Sequence, residues 1–148
     1  MKKLKLISIL SLLFVLNVAS MCSDDDDTST QVSNPTEIAS TLADGQWIVT
    51  LYKENDVVQT SNYSGYNFTF GTDSALSATN GTTTQSGDWS TYADSGYTKL
   101  DMMFTALDGP FGEISEDWNV ISRTATKIEL KHVSGGDGSI DYLTLEKD

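Results

Sequence analysis

One cysteine and one histidine are all that 148 residues contain of the strongest metal-binding and nucleophilic side chains. Cys22 therefore has no partner for an internal disulfide, and neither a cysteine cluster nor a multi-histidine zinc site can be assembled. Positive charge is scarce too, with 9 Lys and Arg against 21 Asp and Glu and a formal net charge of −12. Such a chain repels phosphates instead of releasing their counterions, which excludes nucleic acid as a partner. It repels acidic lipid headgroups for the same reason. No apolar run is long enough for a membrane-spanning helix. Leu6 to Val18, broken only by Ser8, Ser11 and Asn17, covers about 20 Å at about 1.5 Å per residue, against a hydrocarbon core of ~30 Å.

That short run does suit another purpose. Lys2, Lys3 and Lys5 precede it, and the small residues Ala19 and Ser20 follow. A charged head, an apolar run and small residues in that order are the pattern of an export signal, here residues 1–21. Its removal takes away three lysines and no acid, so the remainder is more acidic still. Cys22, Ser23 and the block Asp24, Asp25, Asp26 and Asp27 come next. A thiol beside four carboxylates has its pKa raised and makes a poor nucleophile.

These residues resemble the lipobox of bacterial lipoproteins, with Met21 standing where a smaller residue is usual. The resemblance implies that Cys22 is acylated and becomes the new N-terminus. Ser23–Asp27 resembles the acidic signal of surface lipoproteins of the Bacteroidota, which implies an outer-membrane protein exposed on the cell surface. The membrane partner is then reached through the N-terminal lipid, at about 0.8 kcal/mol per buried methylene. Residues 22–34 are polar, and we expect a lipidated acidic tether without fixed structure.

Residues 35–148 are long enough for one domain with a single core. Asn34-Pro35-Thr36-Glu37 reads as a helix start, with Asn34 as cap and Glu37 reaching back to it. Ile38 and Leu42 share a face, and Gly45 ends the helix. Strands follow at 46–54, 66–70, 75–79, 87–92, 98–104, 118–122, 127–132 and 141–146, each alternating apolar and polar. In the first, Trp47, Val49 and Leu51 fall on one face. Eight short strands suit an all-β, antiparallel up-and-down barrel with a short N-terminal helix, or a two-sheet sandwich. The barrel leaves no edges to protect. In a meander the connections alternate between two ends. Those near 55–65, 80–86, 105–117 and 133–140 are the longer set, so one end carries large loops around a mouth and the other is tight.

A helix followed by Gly45-Gln46-Trp47 resembles the Gly-x-Trp motif that opens the first strand of lipocalins. Gly65–Phe70 is similar to an aromatic strand of lipocalin-like surface lipoproteins of the Bacteroidota. The lipocalin Thr-Asp-Tyr motif is missing. The resemblance implies an eight-stranded barrel that binds a small apolar or amphipathic ligand without catalysis. It also implies a cation over the ring of Trp47, supplied here by Arg123 or Lys147 within about 6 Å. The alternative is an interaction module whose interior is filled by Trp47, Phe68, Phe70, Trp89, Phe104 and Trp118.

Candidate chemistry is thin. His132 ends a strand beside Ile128 and Leu130 without a Gly-x-Ser-x-Gly elbow, and reads as structural. Asp101, Glu113, Glu116 and Asp117 include acids that could pair for glycoside hydrolysis only at a fixed separation, and read as surface charges. Ser134–Asp141 resembles one calcium-repeat copy, but a lone copy reads as a hairpin loop. Met102 and Met103 read as packing. Tyr63 and Tyr66, at the long-loop end, are the ligand-contact candidates. Asp73-Ser74-Ala75 resembles a glycosylation triplet in a turn. No catalytic residue, metal or cofactor is expected.

Overall fold

The computed structural model describes residues 34–148. The export segment, Cys22 and Ser23–Asp27 lie outside the described residues.

The first helix, α1 (Pro35–Leu42), forms where its cap predicts. Asn34 Oδ1 accepts the Glu37 amide at 3.0 Å, and Pro35 takes the first turn, where an amide hydrogen would be unused. The Glu37 carboxylate turns outward, with Oε2 3.5 Å from Arg123 Nη2. Ile38 and Leu42 are fully buried. Gly45 ends the helix at φ +95°, a conformation that disfavours any side chain.

The chain then builds β1 (Trp47–Glu54), β2 (Val57–Val58), β3 (Asn67–Phe70), β4 (Ala75–Thr79), β5 (Thr84–Asp94), β6 (Tyr97–Phe104), β7 (Asp117–Arg123), β8 (Lys127–Val133) and β9 (Ile140–Lys147). From β3 to β9 each strand pairs antiparallel with the next, and β9 returns to β1 from Trp47↔Lys147 to Lys53↔Tyr142. The result is a closed eight-stranded barrel, as the sequence implied, with β2 a short flap on the end of β1. The seam between β1 and β3 is narrow, resting on Trp47↔Phe68. Beyond it, the 3-10 turn Thr60–Tyr63 takes over, and Thr60 Oγ1 accepts the Tyr52 amide at 2.9 Å.

Alternation places Thr98, Leu100, Met102 and Phe104 inward on β6, and Ile128 and Leu130 on β8. The face expected for β1 needs a correction. Pairing with β9 slips between Val49 and Leu51, so Thr50 is an extra residue and the alternation changes phase. Tyr52 points into the core at 1 % exposure, and Leu51 is only half-buried.

Both barrel ends are closed. At the tight end α1 lies across the opening, and Trp47 Nε1 donates to the Leu42 carbonyl at 2.9 Å. Thr91 Oγ1 donates to the Pro35 carbonyl, and Arg123 Nη1 donates to Thr41 Oγ1. At the long-loop end, residues 105–116 fold inward around a one-turn helix, α2 (Pro110–Glu113). Its Phe111 sits among Tyr63, Tyr66, Phe68 and Phe104, with ring centroids 5.0 to 6.1 Å away. Trp118 Nε1 donates to the Ile114 carbonyl, and Ser115 Oγ donates to the Phe111 carbonyl while accepting the Phe104 amide.

Candidate functional site

The long-loop end gathers the chemistry-bearing side chains. Tyr63 lies there, as expected, but not on the rim. It is 1 % exposed, and its hydroxyl donates to the Pro110 carbonyl at 2.6 Å. Tyr66 is half-buried with its ring 5.0 Å from Phe111. Both expected ligand contacts thus belong to the plug, because apolar burial of a phenol ring outweighs exposure once its hydroxyl has a partner. Phe111 and α2 escaped the sequence reading. The signal was there, in Pro110 at a first helical position and the apolar pair Phe111 and Ile114 three residues apart.

Outside the plug lies a ring of acids. Tyr52 reaches the Glu113 carbonyl at 3.3 Å, and burial first, then the charges of Glu54, Asp141, Glu113 and Glu116, hold its phenol well above the ordinary range. The phenol of Tyr63 is pushed up in the same way, chiefly by burial. A hydrogen bond to Glu54 raises the pKa of Glu113, with burial and the negative charges of Glu54, Asp141 and Glu116 adding to it. Glu54 also accepts from Gln59 Nε2. A polar cleft of about 400 Å³ separates the β1–β2 turn from the β8–β9 loop, lined by Glu54, Gln59, Ser134, Asp137 and Asp141 among others.

Beside it stand Glu116, Asp117 and His132. Nδ1 of His132 lies 3.2 Å from the Asp117 carbonyl oxygen, and its ring packs edge-on to Trp118. Lys99 Nζ binds Asp117 Oδ2 at 2.9 Å. Asp101 pairs with Asp117 across β6 and β7, and burial followed by that neighbouring charge raises its pKa. The Ser134–Asp141 segment closes on itself, Ser134 N donating to the Ser139 carbonyl and Ser139 N to Asp137 Oδ1. That is the hairpin loop expected.

At the other end, Lys147 Nζ stands 5.8 Å from the Trp47 ring centroid and 2.7 Å from Asp44 Oδ2. Of the two cations expected over Trp47, Lys147 takes the place, while Arg123 holds Glu37 and Thr41. A Cβ on Gly45 would come within 3.2 Å of Lys147 Cε, so the glycine also clears the lysine's path. Two further clefts, of about 630 and 400 Å³, flank α1 on the outer surface. Asp73-Ser74-Ala75 forms an exposed turn, with Ser74 at φ +71°.

The fold and its plugged ends define a small, closed antiparallel barrel. A crystal structure of a DUF4847 family protein from Bacteroides vulgatus has the same architecture. It superposes with a TM-score of 0.51 over 75 % of this chain and 97 % of that one, at 16 % sequence identity. At that identity the likeness is one of fold. No family model matches the sequence, and no curated protein does.

Proposed function

We propose that this protein is a lipid-anchored surface lipoprotein whose barrel is a solid, non-catalytic interaction module. The observation that carries the reading is closure at both ends by the protein's own side chains. Ile38 and Leu42 seal one end, and Phe111 and Tyr63 seal the other, all of them 6 % exposed or less. An apolar ligand would have to displace α1 or the 105–116 segment to enter. Of the two readings open from sequence, the filled interior is the better supported. Lys147 over Trp47 supports the lipocalin-like character of the first strand. The anchor at Cys22 and the surface address at Ser23–Asp27 rest on the order of residues 1–27. What the module presents is its acidic long-loop end, which suits a cationic or metal-bearing partner.

Two measurements test this. Mass spectrometry of lipids co-purifying with the soluble 23–148 fragment, which lacks the acylated Cys22, is expected to find none at stoichiometric level, and one bound lipid per barrel would restore the ligand-carrier reading. Changing Asp24–Asp27 to alanine is expected to preserve acylation and remove protease accessibility on whole cells. Unchanged accessibility would defeat the surface address.

A further inference from the structure

The chain's only histidine has a role that packing does not exhaust. Glu116, Asp117 and His132 each bring a ligand atom within 4.8 Å of the other two. The imidazole is fixed in orientation. Its Nδ1 faces the Asp117 carbonyl, which can only accept, so the neutral ring carries its proton on Nδ1. The Trp118 ring, 5.8 Å away, supports it from the side. Nε2 is then left with a lone pair, and it faces Glu116 Oε2 at 3.9 Å. In that neutral form two acceptors face one another across a gap that either a proton on Nε2 or a bound cation fills. A ring whose Nδ1–H is held by a carbonyl is also the orientation in which histidines ligate metals.

The remaining groups complete the setting. Lys99 occupies Asp117 Oδ2, while Asp117 Oδ1 lies on the histidine side, 3.7 Å from Nδ1. The His132 side chain is 15 % exposed, whereas Glu116 is 47 % exposed and has room to turn. Tetrahedral zinc with bonds of about 2.0–2.2 Å holds its ligand atoms about 3.4 Å apart. A small rotation of Glu116 closes the 3.9 Å gap to that separation.

We propose that Glu116 and His132 bind one divalent transition-metal ion of the zinc type, with His132 Nε2 as its nitrogen ligand and Asp117, on the Nδ1 side, as the residue that holds the ring in place. Two protein ligands leave coordination positions for water or for donors from a partner molecule. The imidazole selects against calcium and magnesium, which take oxygen ligands. The site lies outside the barrel interior, so it does not depend on whether the interior is filled.

Zinc chloride titrated into the full-length chain by calorimetry tests this, in a Cys22→Ser background so that the thiol contributes nothing. One zinc per chain is expected, weakened about tenfold or more in both His132→Gln and Glu116→Gln. Tenfold excess calcium is expected not to displace it. Equal zinc affinity in Glu116→Gln, or displacement by calcium at equal concentration, overturns the site and leaves only diffuse attraction to acidic side chains. Glu116 is exposed and its variant keeps the fold, so the result stands even if His132→Gln unfolds.

Discussion

The Tyr63 hydroxyl donates to the Pro110 carbonyl at 2.6 Å, joining two segments 47 residues apart in sequence. One is the 3-10 turn after β2 and the other is α2, and together they close the long-loop end. Tyr63→Phe keeps the ring and leaves a carbonyl without its partner, so it is expected to cost about 1–3 kcal/mol in urea denaturation. Phe111→Ala removes the ring that four other aromatics surround, with an expected loss of about 3–5 kcal/mol. It should also let an apolar dye bind where the wild type binds none. A Phe111→Ala protein as stable and as dye-free as the wild type would show that the plug does not seal the core.

Why the eight strands were legible and the plug was not follows from what each leaves in the sequence. Leu100, Met102 and Phe104 recur every second residue and can only face one way in a strand. Closure then follows from the cost of exposed edges. The bulge at Thr50 is different, since nothing local marks an extra residue, and it moved Tyr52 rather than Leu51 into the core. Phe111 and Tyr63 lie in segments without period, where burial is decided by distant partners. The acids and His132 were visible as residue types, but their meeting depends on how the loop before β7 seats beside β8.

Gly87 offers a sharp test of barrel packing. A Cβ placed there would lie 2.2 Å from the Met103 carbonyl oxygen, and 2.8 Å from the Phe104 Cα. Both are backbone atoms, so no side-chain rotation relieves the clash, and the β5–β6 ladder must move. Gly87→Ala is therefore expected to destabilise by about 1–3 kcal/mol or more, read as a lowered thermal midpoint. An unchanged midpoint would mean that the two strands part at little cost.

Lys147 links the last strand to the first through the face of Trp47 and the carboxylate of Asp44. The two contacts separate by substitution. Asp44→Asn breaks an ion pair in which the aspartate side chain is 81 % exposed, so little loss is expected. Lys147→Ala removes the stacked stem as well, with an expected loss of about 0.5–2 kcal/mol. A change in Trp47 fluorescence should accompany Lys147→Ala and not Asp44→Asn. Equal effects of the two variants would assign the contribution to the ion pair instead.

Glu113 gives the acidic end a pH signature. Its pKa is raised in the folded protein, first by the hydrogen bond to Glu54 and then by burial and the surrounding negative charge. A carboxyl raised on folding favours the folded state when protonated. That contribution is fully present below the ordinary value of 4.5 and is lost as pH rises through the higher folded value. Above that folded value the contribution is gone, and Glu113→Gln, which carries no charge at any pH, should be at least as stable as the wild type at pH 7. On acidification toward pH 4.5 the wild type should gain relative to the variant. Other carboxyls shift as well, Asp101 upward by burial and the charge of Asp117 among them, so the comparison must be the difference between the two proteins at each pH. Parallel urea-midpoint curves from pH 7 to 4 would mean that folding does not raise the Glu113 pKa.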